Sequence, residues 1–199
     1  MNIVWFSWKD SNHPEAGGAE VVSDHIRQNL VANGHEVTLI TARYTRSKAS
    51  EIMNGVRVLR AGGRYSVYIK ARSAYKSLDA PADIVIDEMN TIPFMATFYA
   101  KGAKTVLLTY QLARSVWFRQ MVFPISVLGY LLEPVYLRVL AWRCKLVLTE
   151  SQSTKLDLLK YGFKSTNVHV FRIGMGARLN TTLPEKKIRD RVVFLGSLR

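Results

Sequence analysis

Gly17 and Gly18 stand between an apolar run, Asn2–Trp8 (N-I-V-W-F-S-W), and a stretch whose apolar residues Val22, Ile26 and Leu30 recur every fourth position. A strand, a glycine pair and a helix start, in that order, bring bare backbone N–H groups and the positive end of a helix to one point. The chemistry open to such a point is the reception of an anion, a phosphate above all. Glycine suits it because no Cβ holds the ligand off the backbone. The same pattern also serves as a tight strand-to-helix connection with no ligand, and it is not the dinucleotide fingerprint G-x-G-x-x-G. Glu20, in the first helical turn, is favoured by the helix dipole and would repel a phosphate set directly upon it. The Glu20 side chain therefore reads as a helix-start residue or a partner for a hydroxyl, with the N–H groups of Gly18, Ala19 and Glu20 facing the cleft and the glycine amides meeting the anion.

The other reactive residue types are sparse. His13, His25, His35 and His169 are dispersed without metal-ligand spacing, so no metal site is expected. His13 lies on the glycine loop, where a solvated histidine is the ordinary reading. Cys144 is the single cysteine, in an apolar context. That excludes a disulfide framework, reads as a core residue and suits a reducing compartment. The first residues carry no basic lead or cleavage pattern of a secretory leader. We therefore expect a cytoplasmic protein.

Charge is the unusual feature: 28 Lys+Arg against 15 Asp+Glu, a formal +13 over 199 residues. It is concentrated. Ile40–Lys76 holds nine basic residues against Glu51 alone, and Lys101–Lys145 seven against Glu133 alone. Such asymmetry points to an anionic partner, whether nucleic acid, a membrane surface or a phosphorylated small molecule.

Around these residues the chain reads as alternating strands and helices. His35–Thr41 follows the first helix as a second strand, and Asn33-Gly34 supplies the helix stop. Gly55–Arg60 is a third strand, Tyr65–Leu78 a helix, Asp83–Asp87 a buried strand with Glu88–Thr91 as its polar exit, and Lys104–Thr109 the fifth strand. A short helix is expected from Pro93 to about Ala100. Tyr110–Trp142 is long, aromatic and basic, and predicts two helices broken near Gly129 to Pro134. Its longest uncharged run, 13 residues, falls short of a membrane span. It is either a core-facing helical pair or a helical face resting on lipid headgroups. Lys145–Thr149 is a sixth strand. Thr154-x-x-Asp157 fits a capping box, and Asn167–Phe171 is a last short strand. The expected fold is α/β, a Rossmann-like parallel sheet with helices on both faces. Residues 1–172 form that domain, 173–190 a linker, and 191–199 the first strand of a truncated second domain or a last strand of the first sheet.

Taken together, these segments resemble the N-terminal domain of a family 4 glycosyltransferase, one half of a GT-B fold. The carriers are Gly17-Gly18-Ala19-Glu20, Asn33-Gly34-His35-Glu36-Val37, Asp87-Glu88-Met89-Asn90-Thr91-Ile92-Pro93-Phe94, Gln111-Leu112-Ala113-Arg114 with Val116-Trp117-Phe118, and Leu132-Glu133-Pro134-Val135-Tyr136. Glu150-Ser151 and Val193-Phe194-Leu195-Gly196 complete the set. The resemblance implies transfer of a sugar from a nucleotide-sugar to an acceptor with retention of configuration. The acceptor would be lipid-linked or membrane-proximal. It implies acceptor or donor contacts from Gly17, Gly18, Ala19, Glu20, Glu88, Asn90, Gln111, Arg114, Glu150 and Ser151, with Arg199 near the donor phosphate. No cofactor is expected in this domain beside the nucleotide-sugar substrate; a divalent metal is left open.

The chain departs from the family in places. Tyr110 stands where relatives commonly carry a histidine; tyrosine donates a hydrogen bond but is a poor base at neutral pH. Ile173-Gly174-Met175-Gly176 alters the usual Asn-Gly turn, and Ser197 replaces an expected arginine. The acidic pair of the second domain is absent, so this chain alone is not expected to catalyse. The alternatives are a nucleic-acid- or membrane-binding module, a non-catalytic partner subunit, and a sugar-nucleotide epimerase. The partners we expect are a nucleotide-sugar, an acceptor and an anionic membrane surface met through Ile40–Lys76 and Tyr110–Lys145, on the inner membrane face, and no nucleic acid.

Overall fold

A computed structural model describes residues 1–174 of the chain. Among these, eight strands form one sheet: β1 Asn2–Phe6, β2 Glu36–Thr41, β3 Ser50–Met53, β4 Val56–Arg60, β5 Ile84–Met89, β6 Lys104–Thr109, β7 Val147–Thr149 and β8 Val168–Val170. The helices are α1 Gly18–Ala32, α2 Val67–Lys76, α3 Val116–Gln120, α4 Ile125–Arg143 and α5 Gln152–Lys160, with 3-10 turns at Ala96–Phe98 and Ser165–Asn167. The strand order is β3-β4-β2-β1-β5-β6-β7-β8, parallel throughout except for β3 against β4. The Rossmann-like α/β reading holds. The linker and second-domain strand, with Ser197 and Arg199, lie outside the described residues apart from Ile173 and Gly174.

β1 takes the centre because both of its faces are apolar. Val4 and Phe6 pack with α2 and the Ala96–Phe98 turn on one side, while Ile3 and Trp5 meet the Ala19, Val22, Ile26 and Leu30 stripe of α1 on the other. α4 and α5 cover the far half of the sheet through Leu137, Leu140 and Leu158 over Met89, Leu107 and Val147. A strand alternates its side chains, so Val85, Met89 and Leu107 share one face. α2, α4 and α5 therefore lie on one side and α1 on the other.

Three expectations need correction. The sheet is not wholly parallel: β3 is an antiparallel edge strand joined to β4 by Asn54-Gly55, both at positive φ. That is the backbone a two-residue hairpin demands, and the Asn-Gly pair was its signal. The helix break expected at Gly129 to Pro134 falls instead at Met121–Pro124, and α4 runs 19 residues through both positions. Gly129 gives its side-chain space to the Trp117 ring, and Glu133 is buried beside it, so packing overrides the local breakers. Finally, Glu88 is not in a polar exit: β5 continues through it to Met89, and both are buried.

Candidate functional site

A cleft of about 420 Å³ opens at the carboxyl edge of the parallel strands. The loops after β1, β5, β6 and β7 supply its walls, the usual ligand position in an open α/β sheet. It gathers Gly17, Gly18, Ala19, Glu20, Asn90, Tyr110, Gln111 and Glu150, eight of the residues expected at the site, together with Trp8, Lys9, Thr91 and Val116. Trp8 and Lys9 were not foreseen. Their only signal was their place directly after the β1 carboxyl end.

The glycine loop is held by Glu20. Its carboxylate accepts a hydrogen bond from Gly17 N at 2.7 Å and one from Asn90 Nδ2 at 3.2 Å, and pairs with Lys9 Nζ at 3.3 Å. Lys9 Nζ also donates to the Glu15 carbonyl at 2.7 Å and lies over the Trp8 ring. Glu20 thus arrives at the cleft already neutralised. Gly18, Ala19 and Glu20 are first-turn residues, whose N–H groups have no acceptor within the helix. A Cβ at Gly18 would meet nothing within 4 Å. Glycine there leaves open space on the cleft side and is not required by the packing of the chain.

A buried polar layer supports this floor. Glu88 Oε2 accepts from Trp5 Nε1 at 2.6 Å and from Ser23 Oγ at 2.9 Å, with the Arg27 guanidinium 4.0 Å away. Burial pushes the Glu88 carboxyl up, and Arg27 with the two hydrogen bonds draws it back. Ser23 Oγ shares a hydrogen bond with Tyr110 Oη at 2.8 Å. Tyr110 therefore lines the cleft with its ring and turns its hydroxyl into the protein. Burial raises that phenol well above its ordinary range, so it is no proton acceptor. Asp87, the neighbour of Glu88, accepts from Phe94 N and Ala96 N at 2.9 and 2.8 Å, and burial lifts its carboxyl to about 6. The polar residues of the Asp87–Asn90 strip divide the work: Asp87 ties down the following loop, Glu88 sits beneath the floor, and Asn90 reaches Glu20.

The Glycosyltransferase Family 4 profile fits residues 16–175, most of the chain. The chain belongs to Glycosyltransferase Family 4. Sucrose-phosphate synthase from Thermosynechococcus elongatus shares the fold, with a TM-score of 0.67 and 14% identity over 88% of this chain. The chain spans 48% of that structure, about half its length. No curated protein sequence matches it.

Some residues expected at the family 4 site are not in the cleft. Glu88 is beneath it. Arg114 turns away: its guanidinium lies over the Tyr130 and Tyr161 rings, and its backbone N–H donates to Glu133 at 2.7 Å. Ser151 caps α5, accepting from Thr154 N at 3.1 Å, while Thr154 Oγ1 donates to the Tyr110 carbonyl at 3.0 Å. Thr154 is thus not the cap, and Ser151 positions the Tyr110-Gln111 loop at one remove. His13 packs edge-on between Trp8 and Tyr44, and its Nδ1 accepts from Glu15 N at 3.1 Å, outside the cleft wall. Among the described residues no group of three His, Cys, Asp or Glu could hold a metal ion.

Proposed function

We propose that this chain is the acceptor-side half of a cytoplasmic glycosyltransferase that moves a sugar from a nucleotide-sugar to a lipid-carried acceptor. Retention of configuration follows the family resemblance. The observation that carries the reading is the convergence of eight expected residues in one cleft of a family 4 domain, with the first-turn amides of α1 beside it. Those amides and Lys9 offer donors to a phosphate or a hydroxyl. Asn90, Gln111 and Glu150 offer the polar partners that select hydroxyls. A second domain closing over this edge would bring the donor nucleotide, so the isolated half would bind without turning over.

Gly18→Val in the full-length enzyme is the test. The added side chain enters open space, so the melting temperature should stay within a few degrees of the parent's. Transfer should be lost, because the branched group fills the approach to the amides. Near-normal turnover by the well-folded variant would reduce the glycine loop to a connection.

A further inference from the structure

α4 is built inside out along its first half. The stripe it turns to the protein is Ser126, Gly129 and Glu133 before Leu137 and Leu140 take over. The opposite stripe, at the same three-and-four spacing, is Leu128, Leu132, Val135, Val139 and Trp142, all exposed, with Leu131 beside it. By length and composition this helix is apolar enough to cross a membrane, yet Leu137 and Leu140 are fully buried against the sheet, which places it along the flank of the domain. The apolar surface continues past its N-terminal end through Phe123, 81% exposed, and Phe118 of α3. On α2, which packs on the same side of the sheet, Ile69 is equally exposed. Six exposed apolar side chains on one side of α4, continued by Phe118 and Phe123, form more than the single scattered apolar residues of an ordinary surface.

We propose that this face is a docking surface for an anionic lipid bilayer, with α4 lying in the plane of the headgroups. The charge around it decides the occupant. Arg119, Arg138, Arg143 and Lys145 are exposed on or beside α3 and α4, while Glu133, the sole acid from Lys101 to Lys145, is buried and hydrogen-bonded to Ala113, Arg114 and Trp117. At the C-terminal end of α4, Lys101, Lys104, Arg143 and Lys145 line a depression of about 490 Å³, next to Trp142 at 80% exposure. An amphipathic ring beside a basic hollow fits the boundary between acyl chains and phosphate headgroups. A second copy of this face would bring the same cations against themselves. Residues 175–199, with six Lys/Arg against Glu185 and Asp190, repeat the same sign. Only an anionic apolar partner satisfies both the stripe and its rim. α2 adds Lys70, Arg72 and Lys76, exposed on the same side of the sheet; of the other basic residues between Ile40 and Lys76, Arg57 and Arg64 pair with Asp79 and Glu15, and Arg60 is buried in ion pairs with Asp10 and Glu51. The N-terminal end of α4 leads back through α3 to Val116 at the cleft, so a docked domain would hold the cleft close to the bilayer. The docking stands independently of the transferase reading, and its test measures binding alone.

The full-length protein would be sedimented with vesicles of phosphatidylcholine containing 30% phosphatidylglycerol, and with pure phosphatidylcholine, at low and at high salt. Tight binding to the anionic vesicles, weakened by salt and weak on the neutral ones, is expected. Arg138→Gln/Arg143→Gln/Lys145→Gln should weaken binding roughly 100-fold, and Leu131→Gln/Val135→Gln/Trp142→Gln at least tenfold, with melting temperatures near the parent's because every altered side chain is exposed. The proposal is overturned if the parent ignores anionic vesicles, or if the apolar variant binds as well as the parent. It is also overturned if the parent is a dimer in solution that the apolar variant dissociates.

Discussion

Glu133 should be the most costly single carboxylate in the helical half of the domain. It is 1% exposed and accepts three hydrogen bonds, from Ala113 N at 2.8 Å, Arg114 N at 2.7 Å and Trp117 Nε1 at 3.0 Å. Glu133→Leu fits the apolar helix but strands all three donors in a site that water does not reach. Each stranded donor costs about 1–3 kcal/mol, so with three of them the variant should lose about 3–9 kcal/mol. Against a typical domain stability of about 5–15 kcal/mol that is close to unfolding. Glu133→Gln keeps one acceptor oxygen and turns an NH2 towards a remaining donor, so about 2 kcal/mol is expected. The assay is urea unfolding followed by far-UV circular dichroism, with near-UV signals reporting Trp117. A loss under about 1 kcal/mol for Glu133→Leu, or a Gln variant no more stable than the Leu one, would refute the assignment of Glu133 as the clamp between α3 and α4.

Arg60→Met leaves the buried Asp10 carboxylate, 2.7 Å from the Arg60 guanidinium, without its partner, and should cost about 3–5 kcal/mol by denaturant unfolding. Adding Asp10→Asn to it should restore part of that loss. Burial lifts Asp87 to about 6, so between its ordinary value and pH 6 the folded chain binds more protons than the unfolded one. Stability should therefore fall as pH rises through that window, by about 2–3 kcal/mol, and the gap between the parent and Asp87→Asn should shift by that amount between pH 4 and 7. An unchanged gap would refute it. Tyr110→Phe removes a hydroxyl that faces Ser23 and not the cleft, so a loss of about 1 kcal/mol with transfer within a few-fold of the parent is expected in full-length assays. A collapse of kcat would return Tyr110 to the chemistry.

Where an element owes its form to local pattern, the sequence alone shows it. Lys104–Thr109 is β6 to the residue, because an apolar run flanked by polar ends has one register in a buried sheet. α1 and the glycine loop are legible for the same reason, and the loop's place at the carboxyl edge follows from parallel pairing. What stayed hidden depends on distant partners. β3 is four residues long, with Ile52 exposed, so its own pattern is weak; its sequence signal was the Asn54-Gly55 turn, and the reach of Glu51 to Arg60 holds it to β4. α4 crosses Gly129 and Pro134 because Trp117 and Glu133 supply what those residues withhold. Arg114 and Ser151 carry residue types that suit ligands, but two tyrosine rings claim the first and a helix start the second. Lys9 became visible only when Glu20 and Trp8 closed around it.

The central place of β1 has a consequence for the making of the protein. Ile3 pairs with Ile84, so the first strand synthesised waits for a neighbour about eighty residues behind it. At about 5–20 residues per second that is on the order of 4–16 s, during which one edge of an apolar strand stands open while β2 covers the other. A nascent chain halted before Ile84 should bind chaperones that a chain extended past Met89 releases. Co-translational capture at successive stall points would read that change directly on the ribosome.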